Sequence, residues 1–182
     1  MVSVSSRRKF IFICTIGLLF VAGLKLQFFE AKFDIFIPGV QPQKTWEYVS
    51  DISHLKTLNP SVLDVQITSE NGNYAHWEYS AVITEEMSHL PLLTNTNYVD
   101  FVVRPEIGKH LLASKYKTCF FYDRLCLRSR SRMYFTDEKK GTKVEEFIDY
   151  ECPSFFQWFC DWELSTQRQK YLENLKKQMA NL

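Results

Sequence analysis

From Pro153 to Leu182 the chain carries no glycine and no second proline, whereas the stretch between Ala31 and Cys152 is cut into short alternating runs by turn residues. The tail predicts one long helix, because nothing in it interrupts helical backbone. The alternating runs predict strands, with side chains assigned to opposite faces in turn. A run of strands closed by a single helix has to bury its apolar face against that helix, which gives an α+β architecture.

Along the chain, "AKFDIFI" alternates and stops at Pro38-Gly39, which predicts a first strand. "PQKTWEYVSDISHLKTLNPS" then predicts two short helices in tandem. Pro42 suits a first helical turn, Ser50-Asp51 supplies a break and a new cap, and Asn59-Pro60 ends the element. "VLDVQIT" leads to a hairpin turn expected at Asn71-Gly72, and "YAHWEYSAVIT" follows with Ala75, Trp77, Tyr79, Ala81 and Ile83 on one face. "NYVDFVVR", the less regular "HLLASKYKTCFFY" and the pair "LCLRSRSRMYF" and "TKVEEFIDYEC" complete the strands. In the tail, Phe155, Phe159 and Trp162 begin a stripe that continues through Leu164, Gln167, Tyr171, Leu175 and Met179.

The amino terminus has a different character. Basic Arg7, Arg8 and Lys9 precede the uncharged apolar run Phe10–Leu24, which reaches Phe29 if Lys25 extends toward lipid headgroups. The expectation is a short basic cytosolic tail (1–9), a transmembrane signal-anchor helix (10–29) and one domain (31–182). The charge bias keeps the tail cytosolic and puts the domain in the lumen of the secretory pathway or outside the cell. A cleaved signal, a cytosolic domain and a mitochondrial membrane are the alternatives. Cys119, Cys126, Cys152 and Cys160 are an even set that fits a lumenal domain, but their spacing matches no zinc or CxxC site and they read first as small buried hydrophobes.

The order of strand, two short helices, antiparallel strands and final helix is a helix-grip arrangement: a curved antiparallel sheet wrapped around a long C-terminal helix. With that order, "PGVQPQKTWEYVSDISHLKTLNPSVLDVQI" and "QKYLENLKKQM" resemble the opening and the last helix of the START-like (SRPBCC) superfamily of polyketide cyclases, coenzyme Q-binding proteins and lipid-transfer domains. The resemblance covers Ala31 to Leu182. It implies an apolar ligand held between sheet and final helix.

Familiar catalytic patterns are absent. The histidines at 54, 76, 89 and 110 stand singly on polar or loop stretches, and there is no HExxH, phosphate-binding glycine loop or dinucleotide fingerprint. No catalytic residue, metal or cofactor is assigned. A net charge of +1 gives no general attraction to nucleic acid. In the last strand pair, Leu127, Ser129, Ser131 and Met133 should face inward, opposite Val144, Glu146, Ile148 and Tyr150, while Arg128, Arg130 and Arg132 face outward and pair with carboxylates, Arg130 with Asp149 among them. An inward Glu146 needs Ser131, Tyr150 or a ligand hydroxyl to offset its desolvation. With aromatic residues at 15 % of the chain, Trp77, Tyr79, Phe101, Phe121, Phe155, Phe159 and Trp162 are the candidate cavity wall, joined by Ser131, Glu146 and Tyr150 as ligand contacts. The expected function is membrane-anchored binding of a lipid or other hydrophobic small molecule. The alternative is a cyclase- or dehydrase-like enzyme using a cavity carboxylate or tyrosine.

Overall fold

The computed structural model describes residues 25–181. Seven antiparallel strands form one sheet: β1 (Leu26–Pro38), β2 (Val62–Asn73), β3 (His76–Glu86), β4 (Thr94–Glu106), β5 (Lys109–Phe120), β6 (Leu125–Glu138) and β7 (Gly141–Pro153). Their order is β1-β7-β6-β5-β4-β3-β2, so the first two strands in sequence occupy opposite edges. Helices α1 (Pro42–Ser50) and α2 (Leu55–Leu58), with a 3-10 turn at Ile52–His54 between them, bridge those edges. The final helix, α3 (Gln157–Ala180), follows a 3-10 turn at Ser154–Phe156 and packs against β1, β7 and α2.

Local chemistry accounts for most of these boundaries. Pro42 stands at the start of α1, where a missing N–H costs nothing. Asp51 ends α1 in extended backbone, and its side chain accepts the Ser53 N–H at 2.9 Å, capping the next turn. Asn59, forced out of helical space by Pro60, ends α2. Lys139 and Lys140 both adopt positive φ and make the two-residue β6–β7 turn. The β2–β3 turn lies later than Asn71-Gly72. It falls at Tyr74-Ala75, where the Asn73 carboxamide oxygen accepts the Ala75 and His76 N–H groups. Gly72 instead pairs with Trp77 inside the ladder at φ 106°, where a Cβ would run into the His76 carbonyl.

Two further expectations change. β1 begins at Leu26, so Leu26 to Phe29 pair with β7 and are not part of an apolar helix. The rest of the expected membrane segment lies outside the described residues, among which no helix is long and apolar enough to cross a membrane. The domain cysteines are not small hydrophobes but two disulfides: Cys119–Cys126 joins β5 to β6, and Cys152–Cys160 ties the end of β7 to the first turn of α3.

The main core lies on the concave face. Trp46 of α1 is 2 % exposed and donates its indole N–H to the Leu111 carbonyl at 3.1 Å, pinning α1 across the sheet. The Tyr79 hydroxyl donates to the Ser50 carbonyl at 3.0 Å and fixes the other end of the same helix. From α3, Tyr171, Leu172, Leu175 and Met179 are buried. The stripe on the first half of α3 behaves differently: Trp162 is exposed and Glu163 is buried in its place. That half of the helix packs Cys160 and Leu164 on a smaller cluster around Ile148, Tyr150 and Cys152, and beside it covers a cavity.

Candidate functional site

The hollow arises from small and polar residues on the inner face of the sheet. Ser114 of β5 stands directly opposite Ser131 of β6, next to Phe101 and Ile148 on the flanking strands. Neither serine can fill the space to α3, and a cavity of about 220 Å³ remains. Val49, Ile52 and Leu55 close one end, where α1 and α2 cross. Tyr79, Phe101, Leu112 and Met133 form part of the wall, and Phe159, Leu164, Gln167 and Arg168 descend from α3. At the other end the lining reaches the β5–β6 hairpin, at Phe120 and Leu127, and the start of α3.

The polar centre is Glu146. It is 1 % exposed, and its Oε1 accepts the Ser131 hydroxyl at 2.5 Å and lies 3.6 Å from Nη1 of Arg168. Its Oε2 has no hydrogen-bond partner among the described residues. An orphaned buried carboxylate oxygen is costly and marks a place where a donor belongs. Burial works against the charge of Arg168, yet the Glu146 carboxylate and the surrounding groups hold its basicity above the ordinary guanidinium value. The guanidinium also reaches the Tyr116 hydroxyl and lies 5.5 Å above the Tyr171 ring. Burial pushes the hydroxyls of Tyr79, Tyr116 and Tyr171 well above the usual phenol range, so all three stay neutral.

A second carboxylate lines the cavity near the β3–β4 loop. Glu85 accepts hydrogen bonds from Asn97 at 2.9 Å and Asn59 at 3.3 Å, and Asn97 in turn accepts from Thr118 at 2.6 Å. Desolvation raises the Glu85 pKa above 4.5 despite the nearby Arg168 charge. The folded state therefore keeps this proton to higher pH than the unfolded chain does, and stability falls as pH rises from the ordinary value through the raised one. Below both values the contribution is flat. Thermal melts of Glu85→Gln and wild type from acid to neutral pH are expected to shift in the variant's favour as pH rises. A gap between the two that does not change with pH contradicts this.

Of the ten residues the sequence nominates, Tyr79, Phe101, Ser131, Glu146, Tyr150 and Phe159 line the cavity. Tyr150 donates its hydroxyl to Asp161 of α3, and burial followed by that carboxylate raises its pKa. The other four lie elsewhere. Trp77 sits at the far end of β3, where it donates to Glu70 at 3.0 Å and lines a separate cleft with Tyr74. Phe121 is exposed in the β5–β6 turn, Phe155 is exposed in the 3-10 turn before α3, and Trp162 points outward with its ring stacked on His89. Helical phase explains the last: buried Glu163 takes the inward position, accepting from Ser88 N, His89 N and Gln167 and so holding the β3–β4 loop on α3.

Sequence reasoning missed Glu85, Asn97, Ser114, Tyr116 and Arg168. Glu85 continues the inner face of β3 two residues beyond Ile83, and Arg168 follows Leu164 by four residues and precedes Tyr171 by three, on the covered side of α3. The arginine ladder is also offset from expectation. Arg130 lies opposite Asp149 in register, but the ion pairs are Arg128 with Glu151 at 3.0 Å and Arg132 with Asp149 at 3.9 Å. Cys119, Asp123 and Cys126 converge, but both sulfurs are committed to a disulfide, which leaves no thiolate for a metal.

Neither a protein-family profile nor a curated protein matches this chain. Solved structures do. A Thermus thermophilus protein superposes with a TM-score of 0.59 at 14 % identity, over 84 % of this chain and 97 % of that one. Norcoclaurine synthase from Thalictrum flavum, solved with dopamine and hydroxybenzaldehyde, gives 0.60 at 11 %, over 88 % and 91 %. The Zhui aromatase/cyclase from Streptomyces sp. R1128 gives 0.58 at 11 %, over 86 % and 94 %. The fold is the START-like helix-grip. At such identities the likeness establishes architecture alone, and function has to follow from the chemistry of this chain's own cavity.

Proposed function

We propose that this START-like domain is a binding protein for a compact, largely apolar molecule carrying one hydrogen-bond donor, which enters the cavity with the donor end first and engages Glu146. The observation that carries this reading is the unpartnered Glu146 Oε2 inside a cavity walled by Tyr79, Phe101, Leu112 and Met133. A volume of about 220 Å³ is below the ~300–1,000 Å³ of drug-sized pockets. It suits a fused-ring molecule or the end of a single chain, not a whole two-chain lipid. The similar structures include a synthase and an aromatase/cyclase, and a cavity carboxylate keeps a cyclase-type reaction as the second reading. Retained ligand affinity without turnover in wild type and Glu146→Gln alike would count against it.

The reading also places the domain at a membrane, held by the apolar run Phe10–Leu24, on the lumenal or extracellular side. Arg7 to Lys9 before that run favour a cytosolic tail, and the two disulfides favour an oxidising compartment. Protease protection of the domain in sealed microsomes tests the side.

The ligand reading is tested by a pair of probes, naphthol and methoxynaphthalene, in which a methyl group replaces the hydroxyl hydrogen and removes the donor. A hydrogen bond to a charged acceptor is worth at least ~1.5 kcal/mol, so naphthol is expected to bind about tenfold more tightly. Glu146→Leu combined with Arg168→Met, which leaves no unpaired charge in the cavity, is expected to abolish that preference while leaving methoxynaphthalene binding in place. Equal affinities in the wild type overturn the assignment of the donor end.

A further inference from the structure

The topology gathers several features at one end of the sheet. The start of β1, the β3–β4 loop, the β5–β6 turn and the β7–α3 junction all lie there, since each antiparallel hairpin reverses the chain. The cavity lining reaches that end, at Phe120, Leu127 and Phe159. It also carries most of the described exposed large apolar residues. Leu92 and Tyr122 are fully exposed, and Phe28, Phe155, Trp158 and Trp162 are each more than half exposed. The opposite end shows Phe36, Tyr74 and Ile107.

Exposed tryptophan and phenylalanine around one rim suit the boundary between headgroups and acyl chains, where a ring is half in apolar and half in polar surroundings. The chain itself says what covers the rim. The apolar run ends at Leu24 and β1 begins at Leu26, with the Lys25 carbonyl accepting Ser154 N at 3.2 Å. One intervening residue spans at most a few ångströms, so no linker separates the apolar run from the rim.

We infer that this end of the domain docks on the bilayer surface, with Leu92, Tyr122, Trp158 and Trp162 in the interface and the cavity mouth facing the acyl chains. Apolar molecules then pass between bilayer and cavity without crossing water. This rests on the proposed binding function for its purpose, though not for its test. The full chain, with Cys14→Ser and a single cysteine placed at Leu92, Tyr122, Trp158 or Ile107, is labelled with bimane and reconstituted in phosphatidylcholine vesicles containing doxyl-labelled lipid. Labels at Leu92, Tyr122 and Trp158 are expected to lose most of their emission to the lipid-borne quencher, and the label at Ile107 none. Emission at all four sites unaffected by doxyl lipid overturns the docking. So does self-association, read as spin–spin broadening between nitroxides at the rim positions with no lipid contact, because a second copy would then cover the patch. Quenching needs no ligand, so a chain that docks but takes up no naphthol refutes the binding function alone.

Discussion

Arg168→Met is expected to lower the stability of the domain by about 3–5 kcal/mol, the cost of leaving one partner of a buried ion pair alone. The substitution keeps most of the side-chain volume and removes the charge facing Glu146, which at 1 % exposure retains Ser131 as its hydrogen-bond partner. Tyr116 loses its guanidinium neighbour as well. Adding Glu146→Leu to the same chain is expected to recover most of the loss, because an apolar replacement of both partners is close to neutral where removal of one is not. Urea unfolding of the two variants, with the slope unchanged, reads the difference as a shift in midpoint. A single variant that unfolds with the wild type, or a double variant no better than the single one, shows that the pair does not hold the cavity centre together.

Trp46→Ala is expected to cost about 3–5 kcal/mol, as for other large buried aromatic residues. Its indole is 2 % exposed, lies 4.7 Å from the His110 ring and 5.7 Å from the Tyr74 ring, and ties α1 to β5 through the Leu111 carbonyl. Because α1 leads directly into the segment that closes the inner end of the cavity, the loss should also weaken naphthol binding. Trp46→Phe keeps part of the ring packing and loses the hydrogen bond, and is expected to cost less than Trp46→Ala but at least about 1 kcal/mol. If Trp46→Ala melts within a degree or two of the wild type, α1 is held by something other than this residue.

The outline of the fold was legible because its signals are local. Pro42, Asp51 and Asn59-Pro60 set helix boundaries through backbone sterics and capping, and alternation in β6 and β7 reported the inner face correctly down to Ser131, Glu146 and Tyr150. The site was harder to read where it departs from an ordinary core. On β5 the inner face carries Leu112, Ser114, Tyr116 and Thr118, a mixture that blurs alternation because those side chains border a cavity. Aromatic content was a poor guide to the wall for a related reason: Phe121, Phe155 and Trp162 gather at the exposed rim, and composition carries no record of which side of the surface a ring occupies. The extent of the amino-terminal apolar run was misjudged at Leu26 to Phe29, where alternation in β1 had already begun and the Phe28 and Phe29 side chains simply continue it.

The central claim, that the hollow between sheet and α3 receives an apolar body with its donor on Glu146, is tested most directly by locating a ligand. Anomalous scattering from bromonaphthol bound to the crystalline protein is expected to place the bromine toward the mouth near Phe159, with the hydroxyl within hydrogen-bonding distance of Glu146 Oε2 and the rings against Phe101. Bromine found only in the cleft beside Trp77 and Tyr74, or on the outer surface with the cavity unchanged, contradicts the account.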